Sequence, residues 1–209
     1  MTDSSIVNLT LSPDNPVNCT LINDEGKTLY IIITEFQPKN TFTTVRNDGN
    51  EVIASLQWRD NLPDRVTLGT AKPISLGDWM KKSLIPFKDD LSFSDDQGRR
   101  YKWKGNSPGR NLELYSEEDK YKEPIAAFHK RRRLPNPENP KGEPIWTTAK
   151  LVLTQRAVEL QDTVVTSFLF LEKSRRTNER TSQNSADVRA APLSVVGQGY
   201  RARDQGIGI

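Results

Sequence analysis

Four adjacent cations, Lys130-Arg131-Arg132-Arg133, form the one cluster in this sequence whose residue types and spacing suit ligand chemistry. Set side by side at the mouth of a proline-rich loop, they repel one another unless an anion is near. Ammonium and guanidinium groups hold phosphate oxygens through charge-assisted hydrogen bonds. Three readings fit the cluster: a solvated loop, an anion or phospholipid site, and a nuclear import signal. The sequence around it offers no exposed apolar anchor, which weighs toward a structural or interaction domain whose cations only keep it soluble.

Other motifs fail on chemical grounds. Gly105-Asn106-Ser107-Pro108-Gly109 fits G-x-S-x-G, with Asp119 and His129 following in hydrolase order. The residue after such a serine must donate its backbone N–H to an oxyanion, and Pro108 has none. His129 is the only histidine and Cys19 the only cysteine, so a His-rich or Cys-based metal set cannot be assembled. Gly197 to Ala202 matches a dinucleotide fingerprint, but only seven residues follow it, too few for the helix and strand that must build such a site. The acidic groups Asp89-Asp90, Asp95-Asp96 and Glu117-Glu118-Asp119 lack the alternating ligand spacing of a calcium loop and read as turn residues. Trp58, Trp79, Trp103 and Trp146 fall on separate elements and read as core or strand-end anchors. Trp103, between Lys102 and Lys104, is expected to alternate inward. No enzyme activity, metal or cofactor is expected.

The elements that must carry these residues are mainly β. CTLI, NDEG and KTLYIIIT form a hairpin pattern, as do TFTTVR, NDGN and EVIASLQW, and again LSF, SDDQG and RRYKWKG. Ile6, Val7, Leu9 and Leu11 alternate before these hairpins, and strand-like runs return at NLELY, PIAAFH and AKLVLT. Between the second and third hairpins, Ser75 can cap a short helix with Leu76, Trp79, Met80 and Leu84 facing inward. The loop KRRRLPNPENPKGEP carries four prolines in fifteen residues and cannot be a central strand.

The run DTVVTSFLFLEKSRR breaks this rhythm. Residues 163–171 carry no charge. Asp162 suits a helix N-cap, and Lys173, Arg175 and Arg176 suit a last turn. Helical spacing gathers Leu160, Val164, Val165, Phe168, Leu169 and Leu171 on one half of the wheel, leaving Phe170 among Thr163, Thr166, Ser167 and Ser174. A helix apolar on one side and small on the other can be surrounded by protein, which predicts a helix over about 162–174 inside a β-barrel. One more buried strand, TVVTSFLFL, is the alternative.

The succession KTLYIIIT, TFTTVR, EVIASLQW, RRYKWKG and VVTSFLFLEKSRR, most distinctively Trp58 at a strand end and the hairpin with Gly98, Tyr101 and Trp103, resembles an uncharacterised family of fungal proteins abundant in mushroom-forming species. That family is similar to the tubby C-terminal and phospholipid scramblase-like barrels. The resemblance implies an antiparallel β-barrel enclosing a hydrophobic helix near the C-terminus, plus one short helix, over residues 5–176. It carries phosphoinositide binding only as an analogy of fold.

Residues 1–4 are expected to be a flexible N-terminus. Residues 177–209 are expected to be a disordered basic tail, too poor in large apolar groups to offset the entropy of ordering. The whole chain has a formal charge of +3, whereas the segment from Lys173 onward holds seven bases against three acids. The body is therefore near neutral and gives no case for specific nucleic-acid binding. No stretch approaches the ~20 apolar residues of a membrane span, and MTDSSIVNLTLS lacks the pattern of a signal peptide. These features predict a cytoplasmic protein, peripheral to a membrane or nuclear. Its expected function is as a non-enzymatic module binding anionic membrane lipids through Lys130, Arg131, Arg132 and Arg133, the alternative being a structural or protein–protein interaction domain.

Overall fold

The computed structural model describes residues 6–37, 40–59, 61–85, 88–107, 109–139 and 142–190, with side chains to 183. Seven strands come first: β1 Val7–Ser12, β2 Cys19–Ile22, β3 Thr28–Phe36, β4 Thr41–Asn47, β5 Val52–Trp58, β6 Arg65–Leu68 and β7 Ile74–Ser75. A one-turn helix, α1 Leu76–Trp79, leads into β8 Lys81–Lys82, β9 Leu91–Ser94, β10 Arg100–Lys104, β11 Glu113–Ser116 and β12 Pro124–His129. The chain ends with β13 Arg133–Leu134, β14 Ile145–Trp146, β15 Lys150–Leu153, α2 Gln155–Val158 and α3 Gln161–Ala190.

The three expected hairpins form as β2–β3, β4–β5 and β9–β10. Their turns are set by local chemistry. In NDEG, the Asn23 side chain accepts from the Glu25 and Lys27 amides while Gly26 takes a φ of +80°, open to glycine at little cost. Ser75 caps α1 as expected, its hydroxyl accepting from the Gly77 amide, and Trp79 and Met80 are buried. Leu84 is not part of that inward face. It lies beyond the helix at 99% exposure, because α1 is only one turn long and the chain has already become β8.

Thirteen strands make one antiparallel sheet in the order β7-β6-β5-β4-β3-β2-β1-β15-β12-β11-β10-β9-β8. The edge strands β7 and β8 are not hydrogen-bonded to each other, so the ladder is not closed into a barrel; α1 links the two edges through the chain. The sheet is nevertheless strongly bent. Seven strands separate β5 from β10, and in a flat sheet their spacing would place them about 38 Å apart. Yet Trp58 of β5 packs edge-on against Phe170, with centroids 5.3 Å apart, and Trp103 of β10 donates its indole N–H to Ser167 Oγ at 2.9 Å. Those two partners are one turn apart on α3.

The run 162–176 is helical, as its spacing predicts, and residues 164–172 are buried without interruption. Phe168 meets Phe128 of β12 at 4.6 Å, and Phe170 also meets Trp79 of α1 at 5.9 Å. Burial on every side explains the small polar residues: Thr166 and Ser167 fit where a larger side chain would collide with the sheet. Two details differ from expectation. Asp162 is not the cap but lies in the first turn of α3, where its carboxylate accepts from Tyr30 OH at 2.6 Å. The helix also continues to Ala190. Lys173, Arg175 and Arg176 therefore lie mid-helix, and residues 177–190 of the expected tail are helical. No proline interrupts the sequence until Pro192 and no glycine until Gly197, so nothing in TNERTSQNSADVRA stops the helix. Residues 1–5 and 191–209, including the Gly197 to Ala202 motif, lie outside the described residues.

Candidate functional site

Strand alternation sorts the loops into two ends. Those following β1, β3, β5, β8, β10 and β12 share the end at which α3 leaves the sheet, and three contacts fix this. Arg176 bonds Asp14 O at 2.8 Å, Arg175 bonds Arg110 O at 2.5 Å, and Lys130 Nζ pairs with both Glu179 carboxylate oxygens at 2.8 and 3.0 Å. The cluster Lys130 to Arg133 sits at this end, leading from β12 into the β13–β14 hairpin.

That hairpin is a separate two-stranded sheet. Arg133 pairs with Trp146 and Leu134 with Ile145. Thr147 pins its base: the Thr147 amide donates to Arg132 O at 2.8 Å, and the Arg132 amide donates to Thr147 Oγ1 at 2.9 Å. Pro135 and Pro144 flank the strand pair and, lacking an N–H, stop the ladder from growing.

The four cations do not behave alike. Lys130 is committed to Glu179, whose carboxyl is raised by burial but lowered further by the Lys130 hydrogen bond and charge, so that its pKa falls below the ordinary carboxyl value. The Arg131 guanidinium lies 4.7 Å from the centroid of the Trp146 ring. Arg132 bonds Asn111 Oδ1 at 3.1 Å, and Arg133 makes no ion pair among the described residues. Arg131, Arg132 and Arg133 are exposed, as are Leu134 at 42%, Ile145 at 44% and Trp146 at 57%.

This corrects two sequence readings. Trp58, Trp79 and Trp103 are buried anchors, with Trp103 inward as expected, but Trp146 is not. The cations do have apolar neighbours, contributed from ten or more residues later in the chain by the return strand of the hairpin. The missed signal was Ile145-Trp146 immediately after a Pro-rich loop that begins at the cations. Phe36 at the end of β3 and Leu62, Leu84 and Ile85 in loops at the same end of the sheet are also exposed.

Behind the hairpin, Glu172 and Arg175 are both fully buried and paired, and Arg176 donates to the other Glu172 oxygen at 2.7 Å. Lys173 Nζ lies 3.7 Å from the Trp58 ring centroid, and burial lowers its pKa. Glu172, Arg175 and Arg176 satisfy one another where α3 emerges, with Asp14 as a second acid for Arg176.

The hydrolase-like residues are not brought together. Ser107 donates to Asp89 at the α3-exit end, whereas Asp119 lies in the β11–β12 turn at the far end. His129 is an exposed strand end. A cavity of about 600 Å³ at the far end is lined by Asp95, Arg99, Glu159 and Asp162 beside Trp79. Asp95 there accepts from the Gln97 and Arg99 amides, from Arg99 Nε at 2.6 Å and from Tyr101 OH at 3.2 Å. Burial raises its pKa, but those donors outweigh burial and lower it, as suits a turn carboxylate.

A bent antiparallel sheet packed on a C-terminal helix, with a basic and apolar hairpin at one end, defines a β-rich domain with one distinctive surface feature. The chain belongs to a family of unknown function, DUF6593, whose profile matches residues 14–177. No curated protein and no solved structure matches it.

Proposed function

We propose that this domain is a non-enzymatic module that binds anionic membrane surfaces through the β13–β14 hairpin. The observation that carries this reading is the hairpin itself, where three exposed arginines stand beside exposed Leu134, Ile145 and Trp146. Tryptophan and aliphatic side chains enter the boundary between headgroups and acyl chains while guanidinium groups hold lipid phosphates above them. A surface made only for solubility has no use for the apolar half. The sheet bent around α3 supports a tubby-like barrel scaffold, with the resemblance to the tubby and scramblase-like barrels as an analogy of fold. The domain would act at the cytoplasmic face of a membrane.

Vesicle flotation tests the reading. Wild type and an Arg131→Ala, Arg132→Ala, Arg133→Ala variant are compared on neutral and phosphatidylserine-rich vesicles. Each cation near an anionic surface contributes about 1 kcal/mol, so the triple change weakens binding by about a hundredfold at ordinary salt. If wild type never floats, or the variant floats equally well, the domain acts instead by protein–protein contact.

A further inference from the structure

We propose that the outer face of β8, β9 and β10 forms a second site, which binds a phosphate-bearing small molecule. It goes beyond the membrane reading and does not depend on it, because it lies on the flank of the sheet and uses none of the hairpin residues.

Strand register builds the site. Lys81 of β8 stands opposite Ser92 of β9, and Ser92 opposite Lys102 of β10. Arg100 stands opposite Ser94 in the neighbouring row. The middle strand thus presents small hydroxyl side chains, and the strands on either side present long cationic ones. The result is a trough of about 580 Å³ with Ser92 and Ser94 along its floor and Lys81, Lys102 and Arg100 on its walls.

Adjacent strands lie about 4.8 Å apart, so the two lysines arise about 10 Å from each other across one strand, a gap that their ammonium groups can close around a tetrahedral anion.

The charges in the trough are under-compensated. Asp78 is the one acid that lines it, against three bases. Lys81 and Lys102 make no ion pair among the described residues, and Arg100 reaches Glu117 only at 3.8 Å. Lys102 Nζ is held 4.3 Å from the Tyr121 ring centroid, which orients the ammonium without neutralising it. Like charges facing each other in a concave setting raise the local potential for an anion. The remaining wall is apolar, with Ile74 and Trp79 beside the cations. That suits a phosphate ester with a carbon skeleton better than it suits bare phosphate. The shared chemistry is a phosphate monoester or pyrophosphate group, carried by a soluble molecule or by a lipid headgroup.

The test is calorimetric titration of inorganic pyrophosphate and of glucose 6-phosphate into wild type, Lys81→Gln, Lys102→Gln and the triple hairpin variant. Flotation of the same proteins on phosphatidylinositol-bisphosphate vesicles and on phosphatidylserine vesicles runs in parallel, and thermal melting confirms folding. The expected result is binding of the soluble ligands weakened at least tenfold by Lys102→Gln and by Lys81→Gln but unchanged within twofold in the hairpin variant. If only the vesicles bind, and the trough variants lose more of that binding than they lose on phosphatidylserine, the phosphate comes from a lipid. If the soluble ligands bind, it comes from solution. Failure of all three probes to bind, or binding that neither lysine substitution weakens, overturns the trough. Loss confined to the hairpin variant overturns it too, while leaving the membrane reading standing.

Discussion

The Arg131 guanidinium carbon sits 4.7 Å from the centroid of the Trp146 ring, so a cation from the outgoing limb of the hairpin covers an exposed aromatic from the returning limb. Fifteen residues of sequence separate the two, and the pairing of Arg133 with Trp146 brings them together. Such a contact contributes about 0.5–1 kcal/mol when exposed, enough to hold both side chains upright on one surface.

Phe168 is fully buried, against Phe128 and within the uninterrupted buried run of α3. Phe168→Ala should cost about 3–5 kcal/mol. Phe168→Asp should abolish cooperative unfolding, since an unpaired buried carboxylate costs several kcal/mol against a typical stability of about 5–15. Thermal and denaturant melts measure both, and a cooperatively melting Phe168→Asp protein would remove α3 from the core.

Gly105 and Gly109 make a sharper comparison. Both have a φ of +79°, but a Cβ on Gly105 would lie 1.8 Å from Asn111 O, whereas one on Gly109 meets nothing within 4 Å. Gly109→Ala should cost about 1–2 kcal/mol, the left-handed penalty alone. Gly105→Ala should cost more, roughly 2–4 kcal/mol, because the backbone must also move. Equal losses in denaturant melts would show that the loop relaxes freely.

Truncation after Thr177 removes Glu179 and hence the partner of Lys130. The pair is partly exposed, with side chains at 29% and 23%, so its loss should cost no more than about 1 kcal/mol and lower the melting temperature by a few degrees at most. A drop of ten degrees or more would mean that chain beyond 177 packs on the body more extensively than through this pair.

The same pair sets a pH dependence. The Glu179 carboxyl titrates below its ordinary value, since the Lys130 bond and charge outweigh burial, with the Arg175 charge and the Gly109 amide adding to them. A carboxyl with a depressed folded pKa contributes stability above its unfolded pKa and loses it as pH falls through the folded one. The tether between α3 and the hairpin should therefore hold at neutral pH and release only in acid, below the ordinary carboxyl range. Protection of the Arg131 to Leu134 amides, taken relative to the intrinsic exchange rate at each pH, should fall there in wild type, and Glu179→Gln should show the lower protection already at neutral pH.

Local chemistry made most of the sheet legible. Alternation and turn residues such as Asn23 and Gly26 are short-range signals, and strands read from them pair as expected. The buried run of α3 was legible because Ser167 and Thr166 break the apolar face in a way that only an enclosed helix tolerates. Its end was misplaced because three cations after Leu171 look like a final turn. They instead meet Glu172, Asp14, Arg110 O and the Trp58 ring, partners up to 162 residues away. At the hairpin the cations were legible and their apolar companions were not. The exposure of Trp146 depends on a ladder of two residue pairs that a proline-rich segment gives little reason to expect. The trough was invisible for a related reason: Lys81, Ser92 and Lys102 are unremarkable until strand register sets them in a row.

Trp146 is the exposed member of the four tryptophans, at 57% against 9% or less for the others, and so it reports directly on whether the hairpin meets a bilayer. The decisive measurement is quenching of tryptophan emission by phosphatidylserine-rich vesicles containing lipid brominated in the acyl chain. Quenching should grow with vesicle concentration, weaken with salt, and disappear in Trp146→Phe while that variant stays folded. Vesicles that leave the emission unchanged, or that quench Trp146→Phe equally, would contradict the hairpin as the membrane-binding surface.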